Sequence, residues 1–223
     1  MGFGYKTAWI AARTSDGARL GGALGLRNLA PSASETAVAA ACGSRGKAFV
    51  TPPIEGWSLC VSDGLFAFAD TRPPEFGELT AKLSAHLGCE VQFFASHRVL
   101  EAHGWARAVG GTLVRAYLYV GEQGEKVIEV GPPTAEEREL GLAFFDPTSP
   151  DASTDGYWER DELQHVDEEH VMMLAGRWSL NPTELDGMGD GILGDMSERP
   201  SRGTAASNPA TSPGPAKAWW KFW

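Results

Sequence analysis

Three successive stretches in the middle of the chain alternate apolar and polar residues, which is the pattern of β-strands that bury one face. Gly110-Gly111 joins the second stretch to the third, and this dipeptide favours the positive φ angles of a tight hairpin turn. With a further strand after them, the pattern predicts an antiparallel meander around residues 91–130. The predicted strands cover residues 91–96, 98–109, 112–120 and 126–130.

The Gly110-Gly111 turn also predicts the register of the hairpin, because a type I′ turn pairs Val109 with Thr112. In that register each large aromatic side chain lies opposite a small residue, which favours cross-strand packing. The predicted pairs are Trp105 with Ala116, Gly104 with Tyr117, and Ala102 with Tyr119.

Apolar residues at helical spacing predict several helices around these strands. The clearest spans residues 75–87, with Gly88 in the position of a C-terminal cap. Thr134 and Glu137 have the spacing of a capping box at the start of another helix. Further helices are predicted at 18–29, 34–41, 167–178 and 182–183, and further strands at 5–12, 47–51 and 57–62.

Together these elements predict an α+β fold, in which an antiparallel sheet packs with several helices and a disordered C-terminal tail follows. The chain has 223 residues, enough for one sizeable core. Residues 1–186 are predicted to form a single α+β domain. Residues 187–216 are rich in Gly, Ser and Pro and are predicted to be a flexible linker, and residues 217–223 form an aromatic and basic terminal tag.

The charge of the chain is unevenly distributed. The formal net charge is −10, which argues against nucleic acid as a partner. From Arg199 onward there are four basic residues and no acidic one, so this tail carries +4 and the remaining residues carry −14. The tail is therefore attracted to its own domain as well as to any acidic partner.

Cysteine usage and hydropathy predict a cytoplasmic protein. Cys42, Cys60 and Cys89 are far apart and form no CxxC pair, which favours reduced thiols over a disulfide framework or a zinc site. The first residues lack the continuous apolar run of a signal peptide, and no stretch approaches the roughly 18 apolar residues of a membrane span.

Strand alternation places a row of polar and aromatic residues on one face of the predicted strand 98–109. This pattern predicts a binding groove with a floor of Glu101, His103, Trp105 and Arg107. His97 shares the predicted face but is too far along the strand to join them. In the alternative interpretation the row is structural and contacts the Pro52-Pro53 loop or the last helix. In the predicted register, the adjacent strand adds Val114, Ala116, Leu118 and Val120 to the same face.

No motif in the sequence indicates a catalytic residue, a metal or a cofactor. His165 and His170 are five positions apart, and at this spacing helical side chains diverge by about 140°. The acidic residues between them, beginning with Asp167, are therefore predicted to cap a helix and complement its dipole.

The tag ends in four large aromatic residues and one lysine, in the order Trp219, Trp220, Lys221, Phe222 and Trp223. Such a segment offers a large contact area to a docking site. It can bind its own domain, bind a partner protein, or make a weak peripheral contact with a membrane interface. In the alternative interpretation it is an unselected terminal scar or a degradation signal.

Seven short segments follow one another in a specific order: GYKTAW (4–9), FVTPPIEGWSL (49–59), EVQFFASHRV (90–99), WARA (105–108), LVRAY (113–117), DEEHVM (167–172) and AGRWSLNP (175–182). In this order they resemble a family of uncharacterised bacterial proteins that has no assigned activity. The resemblance implies a bacterial cytosolic protein, and in size and acidity the chain is similar to immunity-type proteins. It does not extend to the linker or the tag.

Two functions remain open at this point. The first is a non-enzymatic binding protein, of immunity or accessory type, with an unknown protein partner. The second is a small hydrolase or transferase with its site on the face of Glu101, His103 and Arg107. The first is preferred because general acid–base chemistry needs a second convergent group, and the sequence places none.

Overall fold

The computed structural model describes residues 2–69, 74–121, 125–154 and 156–197. Most of the predicted linker, from residue 198 onward, and the tag at 217–223 lie outside these residues. The described fold therefore comprises the predicted domain and the first part of the predicted linker.

Nine strands form one antiparallel sheet in the described part of the chain. They are β1 (Thr7–Ala12), β2 (Arg27–Ser32), β3 (Lys47–Val50), β4 (Ser58–Val61), β5 (Val91–His97), β6 (Ala102–Val109), β7 (Thr112–Val120), β8 (Glu125–Val130) and β9 (Gly191–Asp195). Their order across the sheet is β2-β9-β3-β4-β1-β5-β6-β7-β8. Because β5 to β8 pair consecutively, the predicted meander is confirmed.

Helices cover both faces of this sheet. They are α1 (Gly17–Ala23), α2 (Ser34–Cys42), α3 (Phe66–Ala69), α4 (Phe76–Leu87), α5 (Ala135–Glu139) and α6 (Glu168–Trp178). Leu20, Phe66 and Phe76 of α1, α3 and α4 are buried on one face, which we call the α4 face. Val38 and Leu174 of α2 and α6 are buried on the other, the α6 face. The predicted α+β class is confirmed, and two covered faces explain why all six residues of β1 are buried.

The start and end signals read from the sequence are confirmed at two helices. α4 ends at Leu87, and Gly88 follows with φ 67°, donating its N–H to Ser84. α5 begins after Thr134, whose side chain accepts from the N–H of Glu137 while the Glu137 carboxylate accepts from the N–H of Thr134. Both caps satisfy backbone groups that a helix leaves unpaired at its ends.

The helix predicted at 18–29 is shorter than expected, and its second half is a strand. α1 ends at Ala23, Gly25 has φ 71°, and the chain then forms the edge strand β2. Three glycines lower the helical propensity of this stretch. Pairing with β9 offers β2 hydrogen bonds that local sequence alone does not reveal.

The predicted domain boundary at residue 186 is too early, because β9 lies within the predicted linker. This strand is inserted between β2 and β3, with Ile192 opposite Val50 and Leu193 opposite Phe49. Two adjacent apolar residues among glycines and aspartates do not show the alternation of a strand. Backbone hydrogen bonds to two neighbouring strands stabilise it instead.

A β-bulge changes the predicted register of the β6–β7 hairpin. Val109 pairs with Thr112 as predicted, but the register shifts after Ala108, and Val114 is the extra residue. A shift of one residue exchanges the two faces of a strand. The observed pairs are therefore Trp105 with Tyr117, Gly104 with Leu118, and Ala102 with Val120. The face of β7 is also corrected. On the side of Trp105 this strand presents Arg115, Tyr117 and Tyr119, and not the predicted Val114, Ala116, Leu118 and Val120.

We expect Gly104→Ala to lower the free energy of unfolding by about 1–3 kcal/mol, as overpacking does. A Cβ at this position would lie 2.8 Å from Leu118 Cδ1 and 2.8 Å from the backbone oxygen of Tyr117. Urea unfolding measures the change. Gly22→Ala in α1 is the control, because nothing lies within 4 Å of its Cβ position, and we expect it to be neutral or stabilising by up to about 1 kcal/mol. Equal unfolding free energies for the two variants would contradict the packing argument.

Candidate functional site

Trp105, predicted in the floor of a groove, is instead part of the core. Its side chain is fully buried and stacks on Tyr117 with ring centroids 4.7 Å apart. The indole Nε1 donates to the Glu137 carboxylate at 3.0 Å. Phe144 packs on both rings from above, so the predicted groove is filled at this position.

Arg107 is held by groups of its own chain. Its Nε lies 2.7 Å from Glu90 Oε1, and Nη1 lies 3.5 Å from Glu136 Oε1. The guanidinium also lies over the ring of Trp178, at 5.6 Å from the centroid. Trp178 is the last residue of α6. The structural interpretation of the row predicted such a contact with the last helix.

Glu101 and His97 do not belong to the row. β6 begins at Ala102 rather than at residue 98, and Glu101 is an exposed turn residue with φ 48°. Its carboxylate lies against Gly121. His97 packs edge-on against Phe66, on the α4 face. The predicted set of Glu101, His103, Trp105 and Arg107 is therefore not one surface.

The bulge brings Arg115 into the row, and this residue was not predicted. Arg115 and Glu137 are both almost completely buried, and the guanidinium Nε lies 3.0 Å from each carboxylate oxygen of Glu137. Arg115 Nη1 donates to the backbone oxygen of Gly131 at 2.9 Å and pairs with Glu129 at 3.3 Å. A buried ion pair needs its remaining donors and acceptors satisfied, and here they are.

This network joins α5 to the sheet and to α6. The Glu137 carboxylate accepts from Arg115, from Trp105 and from the N–H of Thr134. The Thr134 hydroxyl in turn accepts from Trp178 Nε1 at 3.3 Å. The capping box was predicted, but its second role as the partner of a buried arginine depends on the bulge, which has no signal in the sequence.

A second row of polar side chains crosses the same face at one end of the sheet. The strand register places Thr7, Ser96, His103 and Tyr119 side by side on β1, β5, β6 and β7. Asp63, just after β4, reaches Thr7 at the end of this row. Ser96 Oγ lies 3.3 Å from His103 Nδ1.

Burial controls the protonation of this second row. It raises the pKa of Asp63 to about 6, against the opposing effects of Thr7 and Arg45. It lowers the pKa of His103 to about 4, with Asp167 opposing and His170 and His97 reinforcing the shift. Burial also raises the pKa of the Cys42 thiol, which donates to Thr7 Oγ1 at 3.8 Å.

This arrangement does not form a nucleophile with its base. Asp63 can exchange a proton near neutral pH, which is the property of a general acid or base. Its neighbour Thr7 and the adjacent Ser96 are completely buried, however, and the raised pKa keeps Cys42 protonated. Nucleophilic catalysis needs an activated and accessible group.

Asp167 caps α6, as predicted, and Glu168 and Glu169 follow it in the first turn of the helix. The Asp167 carboxylate accepts from the N–H of His170 at 3.1 Å, and His170 Nε2 lies 3.0 Å from Gln164 Oε1. His165 stacks instead on Phe145, at 5.0 Å between centroids. Among the described residues no three His, Cys, Asp or Glu side chains are arranged to hold a metal ion.

A shallow depression of about 230 Å³ lies at the opposite end of the sheet, between the Pro52-Pro53 loop and the start of β9. Asp190 is its one ionisable side chain, and backbone, proline and isoleucine form most of the rest. A single carboxylate beside apolar walls does not provide the convergent polar groups of a small-molecule site.

An exposed aromatic side chain, Trp158, is held in a defined position by the loop before α6. Its ring lies 5.3 Å from that of Phe145 and stands perpendicular to Tyr157 at 5.1 Å. The indole Nε1 donates to the backbone oxygen of Ala152 at 3.0 Å. Trp158 is 44% exposed, whereas Phe145 and Tyr157 beneath it are buried.

Several acidic residues belong to the same loop as this ring. Four of these acidic residues are exposed: Asp151, Glu159, Asp161 and Glu162. The loop also contains one arginine, Arg160, which lies 5.1 Å from the centroid of the Tyr157 ring and pairs with Asp151 at 3.2 Å. We call this region the Trp158 surface; it consists of Phe145, Asp151, Tyr157, Trp158, Glu159, Arg160, Asp161, Glu162 and His165. Its aromatic and acidic residues are visible in the sequence, but the loop pattern does not show which ring is left exposed.

Comparison of the chain with models of protein families, with curated proteins and with solved structures finds no match. The resemblance to a bacterial family therefore remains a prediction. In the described residues no helix is both long and apolar enough to cross a membrane.

Arg115→Met is expected to lower the free energy of unfolding by about 3–5 kcal/mol, because it leaves the Glu137 carboxylate buried without its cation. Urea unfolding at pH 7 measures the loss. Lys82→Met is the matched control, because Lys82 pairs with Glu78 on an exposed helix surface, and such pairs contribute at most about 1 kcal/mol. A loss for Arg115→Met no larger than for Lys82→Met would show that the network does not stabilise the fold.

His103 is expected to make stability depend on pH between about 4 and 6.5. In this range the unfolded histidine binds a proton and the folded one does not, so stability falls as pH falls from 6.5 towards the folded pKa of about 4. Asp63 acts in the opposite sense, because its raised pKa favours the folded state at low pH. The contribution of Asp63 is present in both the wild type and His103→Asn, so it cancels when the two proteins are compared.

The measurement is the free energy of unfolding at pH 4.5 and pH 7. We expect the wild type to lose up to about 3 kcal/mol more than His103→Asn over this interval. Parallel pH profiles for the two proteins would mean that His103 is protonated equally in the folded and unfolded states.

Proposed function

We propose that this protein is a non-enzymatic binding protein that engages a basic partner protein through the Trp158 surface. The observation that carries the proposal is the exposed indole of Trp158, which its neighbours hold in place in a loop rich in exposed carboxylates. Rigid aromatic side chains are frequent anchors of protein interfaces, since they bury a large area at little cost in conformational entropy.

The chemistry of the surface specifies the partner. Glu159, Asp161 and Glu162 are exposed and have no basic neighbour among their described contacts. An arginine or lysine of a partner can lie on the face of Trp158 while its charge is compensated by these carboxylates. The excess of negative charge in the whole chain adds long-range attraction for a basic protein.

Support for the alternative, a small hydrolase or transferase, is weaker in this geometry. Its proposed residues were Glu101, His103 and Arg107. Arg107 is occupied by Glu90, Glu136 and Trp178, and His103 is buried with Ser96. Glu101 is a turn residue outside the row.

The cellular location and the kind of factor are also part of this proposal. We place the protein in a bacterial cytoplasm, as an accessory or immunity-type factor, on the resemblance of its sequence segments to a bacterial family. The unknown partner is then a basic protein made either by the same cell or by a competing bacterium.

The test is affinity capture from native cell extract with the full-length protein at low ionic strength, followed by titration of the purified partner. Trp158→Ala and Glu159→Lys/Glu162→Lys are expected to weaken the affinity for a basic partner at least about 10-fold, the effect of losing an interface anchor. Glu35→Lys/Glu78→Lys makes the same change in net charge on exposed residues of α2 and α4, and it should retain most of the affinity.

The two kinds of variant separate specific docking from general attraction. If Glu35→Lys/Glu78→Lys weakens binding as much as Glu159→Lys/Glu162→Lys does, net charge is responsible and the proposed surface is wrong. A partner that binds the Trp158→Ala protein as tightly as the wild type would also contradict the proposal.

A further inference from the structure

We propose that the C-terminal tag, residues 217–223, binds the Trp158 surface of its own chain and competes there with the partner protein. This inference rests on the proposed function, because both ligands use one surface. The tag lies outside the described residues, so its chemistry is taken from the sequence and its reach from the point where the described chain ends.

The tail and the Trp158 surface have opposite charges, and both offer aromatic rings. The tail from Arg199 onward carries +4 with no acidic residue, and the tag contains three tryptophans, one phenylalanine and two lysines. The Trp158 surface offers an exposed indole and a surplus of carboxylates. Aromatic rings stack on Trp158, and the lysines lie near the carboxylates.

The described chain ends at the same end of the sheet as the one that the Trp158 surface adjoins. β9 ends beside the start of β3, and antiparallel pairing from strand to strand brings the start of β8 to this same end. At the start of β8, Lys126 pairs with Asp146 at 2.6 Å, and the N–H of Asp146 donates to the hydroxyl of Tyr157. The Trp158 surface therefore adjoins the corner formed by β8.

The chain between these points is long enough. Seven strand spacings separate β9 from β8, which is roughly 34 Å at about 4.8 Å each. Residues 198–216 can extend to roughly 60 Å at most. With the flexibility that their composition predicts, their root-mean-square span is about 24 Å, so the tag is present at the surface at an effective concentration on the order of millimolar.

A nearer apolar patch fits the tag less well. Tyr5, Val99 and Met173 are exposed near the start of α6, closer to β9 than Trp158 is. Lys6 and Arg98 flank this patch. Arg98 pairs with Glu168, and Tyr5 donates to Glu169, so positive and negative charges balance in this patch. The patch therefore lacks the surplus of carboxylates with which the Trp158 surface attracts a tail that carries +4.

Zero-length carbodiimide cross-linking of the full-length protein tests the contact directly. The reagent joins a lysine amine to a carboxylate as an amide, with loss of water, only where the two groups touch. We expect cross-links from Lys217 or Lys221 to Glu159, Asp161 or Glu162. Their yield should fall at least about fivefold in Trp158→Ala and stay unchanged in Val99→Ala. Cross-links confined to other carboxylates, or lost in Val99→Ala instead, would overturn the proposal.

An equal mixture of ¹⁴N- and ¹⁵N-labelled protein distinguishes one chain from two. Binding within one chain gives cross-linked peptides that are wholly light or wholly heavy. Peptides of mixed label would show that the tag binds a second copy, which contradicts the proposal.

Competition is measured with a fluorescent peptide of residues 217–223 and a full-length protein in which the four aromatic residues of the tag are replaced by serine. We expect this tag variant to bind the peptide at least about fivefold more tightly than the wild type, whose surface its own tag occupies. Equal affinities would rule out occupation of the surface by the tag.

The two proposals fail separately in these experiments. If a basic partner needs Trp158 but binds the wild type and the tag variant equally, the proposed function stands and the competition by the tag is wrong. If the cross-links form as expected and no partner depends on Trp158, the tag contact stands and the proposed function is wrong.

Discussion

The buried ion pair between Arg115 and Glu137 is the interaction on which the packing of the α6 face depends. It attaches α5 to the sheet, and through Thr134 it also connects α5 to Trp178 at the end of α6. The chain between α5 and α6 is the long loop that displays Trp158. Phe144 anchors that loop on the rings of Trp105 and Tyr117, which in turn contact Glu137 and Arg115. A rigid support of this kind keeps an exposed ring in one position, which lowers the entropic cost of binding.

Several polar groups of the α6 face are engaged within the fold. Arg115 and Trp105 donate to the Glu137 carboxylate, Arg107 forms ion pairs with Glu90 and Glu136, and burial lowers the pKa of His103. An active site needs polar groups that are held in place yet free to meet a substrate. Glu159, Asp161 and Glu162, which form no ion pair among the described residues, lie instead on the exposed loop that carries Trp158. This contrast between engaged interior groups and accessible surface groups is why we propose binding as the function.

Sequence reasoning predicted part of the site and missed the rest for identifiable reasons. Val109 and Thr112 pair as the Gly110-Gly111 turn requires, and Thr134 and Glu137 form the expected cap. The face of β7 was wrong, because the bulge at Val114 exchanges the two sides of the strand beyond it. A bulge is set by the packing of both strands and leaves no periodic signal in either.

By itself the sequence determined the elements whose causes are local: α4 with its apolar stripe and glycine cap, the meander of alternating strands, and the uneven charge of the chain. Only the tertiary structure decided that Arg115 meets Glu137, that β9 is inserted between β2 and β3, and that Trp158 stays exposed while Tyr157 beside it is buried. Local backbone preference and periodicity act within a few residues, so they are visible in sequence. Register, burial and pairing depend on residues far apart in the chain, and their energies exist only once the sheet and its covering helices have met.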